Sequence, residues 1–178
     1  MPLIRAAEAL EAAHDVPPAL AATAIANVVL GVAFALFLCA AMTLRPAMGW
    51  RAALAWGIAG YVVFFVAPAI GLPPELPGTE SAALHERQLW WAFAAANTAA
   101  GLALIVFGKT TPLRALGVVV LVLPHLVGAP HRGEVAADFV RATSIANAAF
   151  WLALGALAAF FMRDAPGVPR NRSAAPLP

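Results

Sequence analysis

Five apolar stretches dominate the pattern of hydrophobic and polar positions along the chain. They run over residues 19–44, 52–71, 89–107, 112–130 and 144–162. A helix needs about 20 apolar residues to cross the hydrocarbon core of a bilayer, and these stretches have about that length. The fourth is the weakest, because Arg114 and His125 lie near its two ends. The pattern therefore predicts an all-α, polytopic membrane protein with five transmembrane helices.

The composition supports a membrane protein. Of the 178 residues, 62% are hydrophobic and only 11% are charged, whereas soluble domains carry roughly 25% charged residues. We expect one membrane domain over residues 1–178, ending in a short disordered tail over 164–178, which is rich in Pro, Ala and Arg. The single cysteine, Cys39, excludes an intrachain disulfide and a multi-cysteine metal site. The formal net charge of +2 is too small and dispersed to indicate nucleic-acid binding.

The basic residues indicate an orientation, since Lys and Arg are retained in cytoplasmic loops. Seven of the eleven lie in the 45–51 loop, the 109–114 loop and the tail, on one side of the predicted membrane. All acidic residues except Asp164 fall on the other side. We therefore expect a multi-pass protein of the cell (inner or plasma) membrane, with its N-terminus outside and its C-terminus in the cytoplasm.

Short internal similarities suggest a repeated unit. The string Thr23–Asn27 recurs at Thr143–Asn147, and the outward-running segments end alike at Pro68–Pro73 and Pro124–Pro130. The start, Met1-Pro-Leu-Ile4, resembles the outer end of one more outward-running helix. The pattern predicts repeated helical hairpins, the first of them lacking its opening N-terminal helix. Alanine-rich helices also resemble one another by chance, so the similarity of each pair of strings is weak by itself.

The residues able to bind a metal lie towards the outer side of this topology. Neutral imidazole binds divalent cobalt, nickel, copper or zinc, and carboxylates can complete the coordination. We predict metal-handling positions at His125, His131, Glu75, His85 and Glu86. These residue types do not select one metal by themselves.

Each candidate ligand has a structural alternative. His125 follows Pro124 and is either a ligand or gate, or a hydrogen-bonded histidine that holds a proline kink. Glu75, in the string GLPPELPG, is held by prolines and either attracts cations or stays solvated. His131 can be a solvated loop residue, and Glu86 can favour a helix N-terminus through the macrodipole.

Three asparagines lie inside apolar stretches, at Asn27, Asn97 and Asn147. Buried amides are costly without partners, and in membranes they commonly join helices by hydrogen bonds. Two interpretations stay open: the asparagines hold helices together, or they line a central polar transmembrane path.

The strings GLPPELPG, Arg87-Gln-Leu-Trp-Trp91 and Pro124-His-Leu-Val-Gly-Ala-Pro130 resemble the CbtA family of predicted cobalt transporters. The similarity continues through Asn147–Gly155 and covers nearly the whole chain. It implies a cation-uptake subunit expressed with cobalamin-linked functions, with Co²⁺ as substrate and no permanently bound cofactor. It also implies a small single-span, histidine-bearing companion, CbtB.

The chain departs from the family pattern in two places. Family members typically have one more helix before the Met1–Ile4 segment, in agreement with the incomplete first hairpin. Their first outer loop is often richer in histidine, whereas this chain offers only His14-Asp15 there. Metal capture by that loop is therefore in doubt.

The leading hypothesis is a membrane permease subunit for uptake of a divalent transition-metal cation, cobalt above others. The alternative is a non-transporting membrane scaffold or assembly partner of a metal-uptake system. An enzyme is the least favoured, because no nucleophile or acid–base pair is evident at membrane depth. We expect the lipid bilayer, a CbtB-like companion and further copies of the chain as partners. Because the chain has no nucleotide-binding motif, we expect the energy for transport to come from a partner or from the ion gradient.

The orientation is testable by labelling cysteines introduced into a chain whose own Cys39 is replaced by Ala. Cysteines at Thr79 or Glu134 should react with a membrane-impermeant reagent from outside. Cysteines at Lys109 or Arg170 should react only after permeabilisation. The opposite pattern would refute the charge-based topology.

Overall fold

A computed structural model describes residues 2–44, 50–76 and 78–162, with side chains from Leu20 onward. The predicted tail over 164–178 lies outside the described residues. The described part of the chain contains helices and their connections, with no strand, which confirms the all-α prediction. The helices are α1 (Pro2–Met42), α2 (Trp50–Tyr61), a π-helical turn (Val62–Val66), α3 (Ala67–Gly71), α4 (Leu84–Phe107), α5 (Thr111–Val127) and α6 (Ala137–Met162).

Four helical segments are long and apolar enough to cross a membrane: Leu20–Met42, Trp50–Gly71, Leu84–Phe107 and Ala137–Met162. The second of them combines α2, the π-helical turn and α3. Helix α5 is apolar but has only 17 residues, or about 25 Å at 1.5 Å per residue. The prediction of a polytopic protein with about five helices is confirmed, and the weakest stretch in the sequence corresponds to the shortest of these helices.

The helices extend beyond the apolar stretches that predict them. Helix α4 begins at Leu84 rather than 89, and α6 begins at Ala137 rather than 144. Hydropathy identifies only the apolar part of a helix. Backbone hydrogen bonding continues into the polar turns at its ends, so the helix is longer than the apolar stretch. Helix α5 ends at Val127 rather than 130, because Gly128 has a φ of 92° that does not continue a right-handed helix.

The chain divides into two compact units, residues 1–45 and 46–178. Helix α1 makes up the first and is continuous over 41 residues from Pro2 to Met42. The loop expected between Ile4 and residue 19 is therefore absent from the described residues 2–42. The helix continues there because Ala, Leu and Glu, which favour helices, dominate residues 6–13.

In the second unit, α4 packs along α5 and α2 packs along α6. Glycines allow both close approaches: a Cβ built on Gly101 would lie 2.6 Å from the carbonyl oxygen of Gly117, and one on Gly155 would lie 2.6 Å from that of Ala53. Small residues at such crossings let helix backbones come close in a membrane, where packing rather than the hydrophobic effect drives association. The two pairs therefore depend on van der Waals contact between backbones.

Trp151 anchors α6 against the π-helical turn. Its side chain is buried, and a Cβ on Gly60 would run into its ring. The ring also stacks on Phe64, with centroids 5.2 Å apart and an interplanar angle of 5°. Gly60 and Phe64 therefore form the cradle that positions α6 beside α2.

The π-helical turn and the proline that follows it change the backbone hydrogen bonds. The N–H of Ala67 donates to the carbonyl of Val62, one residue farther than in an α-helix. Pro68 has no N–H to offer the carbonyl of Phe64, four residues earlier. That carbonyl accepts a hydrogen bond from Trp91 Nε1 at 3.1 Å, so the proline provides an acceptor that links this segment to α4.

Replacing Gly101 by Val should weaken the α4–α5 pair. The added side chain would meet the Gly117 carbonyl and the Leu121 side chain, and overpacking of this kind typically costs about 1–3 kcal/mol. Thermal unfolding in detergent should show a lower transition temperature. The matched control is Ala103→Val on an exposed position of the same helix, and equal losses from the two variants would contradict the close-crossing account.

Candidate metal-handling site

Two loops meet at the proline-rich end of the second unit. They follow α3 and α5, and we name them the 72–83 loop and the 128–136 loop. The N–H of Leu76 donates to the carbonyl of Glu134 at 3.0 Å, and the N–H of Ala82 donates to that of His131 at 3.1 Å. The loops that follow the two similar sequence segments are therefore in direct contact through their backbones.

Glu75 strengthens this contact through both carboxylate oxygens. Oε1 accepts a hydrogen bond from the N–H of Gly133 at 3.0 Å. Oε2 lies 3.0 Å from Nη2 of Arg87, and only 4% of the Glu75 side chain is exposed. The carboxylate is thus neither solvated nor free to face outward; it joins the 72–83 loop to the 128–136 loop and to α4.

Arg87 is the functional candidate that the sequence interpretation missed. It lies in the first turn of α4, and its side chain is 34% exposed. Nη1 donates to Ser81 Oγ at 3.3 Å, while Nε is buried and has no hydrogen-bond partner among the residues that the structure describes. A cation is unfavourable at a helix N-terminus, so a basic residue at that position needs a compensating partner. The glutamate held by prolines earlier in the chain is the sequence signal that could have indicated this ion pair.

The ion pair forms part of the wall of a cavity of about 320 Å³. The cavity lies between the π-helical turn, α3, the start of the 72–83 loop and the start of α4. Its polar groups are Glu75, Arg87 and Gln88, and its apolar wall includes Phe64, Phe65 and Trp91. A small polar solute in this cavity would contact the ion pair on one side and aromatic rings on the other.

His125 lies in the last turn of α5, directly after Pro124. Its ring is edge-on to Trp90, with centroids 6.0 Å apart and an interplanar angle of 73°. Among the described residues, neither Nδ1 nor Nε2 has a hydrogen-bond partner, although both atoms are buried, and Trp90 Nε1 is in the same condition. A neutral imidazole has one donor and one acceptor, and each such group left unpaired costs about 1–3 kcal/mol. A water or cation at His125 would remove that cost.

The other predicted ligands lie apart on the surface. His85 and Glu86 are exposed in the first turn of α4, and His131 is exposed in the 128–136 loop. Within the part of the chain that the structure describes, no three His, Cys, Asp or Glu side chains come together to hold a metal ion. The fold therefore brings the loops of Glu75 and His131 together without forming a finished coordination shell.

A family model described as "Probable cobalt transporter subunit (CbtA)" matches residues 1–163. The chain belongs to the CbtA family. The resemblance seen in the proline-rich strings is thereby confirmed. No curated protein and no solved structure matches the chain.

CbtA membership and the apolar helices together make this chain a multi-pass membrane protein of a transport system. The family description names a subunit, which implies a partner protein, and cobalt, which implies Co²⁺ as the transported substrate. It describes a transporter rather than an enzyme.

Asn97 and Asn147 of this CbtA chain hydrogen-bond within their own helices in the described structure. Nδ2 of Asn97 donates to the carbonyl of Phe93 at 2.8 Å, and that of Asn147 donates to the carbonyl of Thr143 at 3.0 Å. Both bonds stay within one helix. Asn27 is exposed on α1, in the first unit. A role for the three residues in a polar path stays a prediction.

Replacing Glu75 by Ala should loosen the contact between the two loops. The change removes the acceptor of the Gly133 N–H and the partner of Arg87, and an unpaired buried group costs about 1–3 kcal/mol. Hydrogen exchange at the amides of Leu76 and Ala82 should become faster. Glu80→Ala, which removes an exposed carboxylate from the same loop, is the control; unchanged exchange in Glu75→Ala would mean that the backbone bonds alone hold the loops.

Proposed function

We propose that the chain is a membrane permease subunit for the uptake of a divalent transition-metal cation, with Co²⁺ as the cargo. The observation that carries this proposal is the family match over residues 1–163 on a chain with several helices able to cross a membrane. The match supports the transport system and the metal. The permease role is supported by polar groups inside an otherwise apolar bundle.

We assign the binding step to His125, with Glu75 and His131 as its nearest helpers and His85 and Glu86 at the mouth. Imidazole nitrogen is a good ligand for Co²⁺, and carboxylate oxygen can complete the shell. The support from geometry is the pair of unpartnered nitrogens on His125 and the contact between the loops that carry Glu75 and His131. Because these side chains are not assembled into one shell, the proposal requires a rearrangement when the metal arrives.

The cation enters from the outer side in this proposal, with the N-terminus outside and the C-terminus in the cytoplasm of a cell (inner or plasma) membrane. A small single-span, histidine-bearing companion of the CbtB type would accompany the subunit, which agrees with the word subunit in the family description. The chain would also associate with copies of itself in the bilayer. Energy would come from a partner or from the ion gradient.

A non-transporting scaffold is the second candidate. It is favoured by the local bonds of Asn97 and Asn147 and by the engagement of Glu75 with Arg87, since both observations describe packing rather than an open path. Co²⁺ uptake into proteoliposomes, with and without the small companion, separates the two. A scaffold would leave uptake by the companion complex intact when polar residues of this chain are changed.

Replacing His125 by Ala should reduce Co²⁺ uptake sharply, because losses of ligands or of the groups that orient them commonly lower metal affinity by about 10–100-fold. Expression in the membrane should stay near normal, since neither ring nitrogen makes a hydrogen bond that the change would break. His14→Ala should matter little. Normal uptake by His125→Ala, or loss of uptake only through loss of the protein, would make this histidine structural and the assignment wrong.

A further inference from the structure

We propose that Arg87 acts as an internal competitor for Glu75, so that a metal cation is captured there by displacing the guanidinium. Arg87 is then a selectivity-determining residue, because only a cation that outcompetes it gains the carboxylate. This inference rests on the proposed transport function and adds a capture step before His125. It assigns a role to the one buried carboxylate of the proline-rich end.

The two carboxylate oxygens of Glu75 have different partners. Oε1 is held by a backbone N–H, that of Gly133 at 3.0 Å, and this bond fixes the carboxylate to the 128–136 loop. Oε2 is held by a side chain, Nη2 of Arg87 at 3.0 Å. A backbone donor cannot leave without moving the loop, whereas a side chain can change rotamer, so Oε2 is the exchangeable position.

The route to this position is the cavity of about 320 Å³, whose wall includes both members of the pair. Glu75 is 4% exposed and Arg87 is 34% exposed, so the arginine is the member closer to water. A cation entering the cavity meets the pair from the side on which Arg87 can withdraw. No movement of the buried glutamate is needed for the exchange.

Arg87 is held incompletely, which favours exchange. Its Nε is buried without a hydrogen-bond partner, and its bond to Ser81 Oγ is long at 3.3 Å. On leaving, the guanidinium regains water for all of its donors. Removing one partner from a buried pair is strongly unfavourable when the other charge stays unpaired, but an incoming cation replaces the departing one and avoids that state.

Charge then decides which cations succeed. Coulomb attraction to the carboxylate scales with the charge of the cation, so a divalent ion has about twice the attraction of a guanidinium at equal distance. A monovalent ion has no such advantage, and for either kind of ion the attraction must exceed the cost of removing its water and of breaking the contact with Arg87. Imidazole nitrogen, which favours transition metals over Mg²⁺ or Ca²⁺, enters at the later step at His125.

The test is Co²⁺ binding to the purified full-length protein in detergent, measured by competition with a fluorescent metal indicator. Arg87→Gln removes the competitor's charge and should tighten Co²⁺ binding by about 3–10-fold and reduce the preference for Co²⁺ over Na⁺. Arg132→Gln, which removes the same charge from an exposed position of the 128–136 loop, should change binding by less than about twofold. In a Glu75→Gln background, Arg87→Gln should have no effect. Equal or weaker binding by folded Arg87→Gln protein overturns the proposal and leaves the pair as a structural tie.

A second measurement uses the unaltered chain and so does not depend on how the variants fold. Co²⁺ is paramagnetic, and binding at Glu75 should broaden the amide resonance of Gly133 before those of distant loops, with Zn²⁺ as the diamagnetic control. An unbroadened Gly133 signal at saturating Co²⁺ overturns the capture step. Uptake into proteoliposomes is scored separately: transport without broadening contradicts this inference alone, and broadening without transport contradicts the permease function alone.

Discussion

Hydrocarbon cannot hydrogen-bond, so every polar backbone group that a helix fails to satisfy must find its partner inside the protein. This constraint explains the second unit better than any single contact. Pro68 deprives the Phe64 carbonyl of its usual donor, and the Trp91 indole supplies one. The indole ring of Trp91 also stacks on the ring of Phe64, with centroids 5.9 Å apart. The requirement for a donor thus fixes where α4 lies against the π-helical turn, and the cavity at the proline-rich end follows from that placement.

The proline-rich end concentrates the polar groups that the spans exclude. Glu75 is satisfied there by Arg87 and the backbone of Gly133, whereas Arg87 Nε and the ring nitrogens of His125 and Trp90 have no hydrogen-bond partner among the described residues. An ion pair and an imidazole with unpaired nitrogens in the same unit are a combination suited to a cation that must first be collected and then held. The apolar surroundings make each of these polar contacts more consequential, because an unpaired group in a low-dielectric interior is costly.

Hydropathy was sufficient to predict the helices, because a run of about 20 apolar residues is typical of a transmembrane helix. It placed the start of α4 five positions late, since His85 to Gln88 are polar and yet helical. The candidate site was harder to predict. The prolines indicated that Glu75 is held, and a basic residue at the start of α4 was the available signal for its partner, but the contact itself depends on how the 72–83 loop returns to α4. The hydrogen bonds of Asn97 and Asn147 could not be predicted either. An asparagine that bonds to a carbonyl of its own helix produces no pattern in the spacing of residues.

The π-helical turn has a consequence for the rotational phase of the helix that contains it. A π-turn accommodates one residue more than an α-helical turn, and each residue of an α-helix turns the chain by about 100°. Regular α-helix over the same residues, Val62–Val66, would therefore rotate α2 by about that angle relative to α3. Gly57 and Gly60 would turn away from Trp151, and a bulkier face would meet α6. The π-helical turn thus sets the angular alignment between the glycines of α2 and the proline-rich end, so its conversion to regular α-helix without loss of a residue would be felt at both.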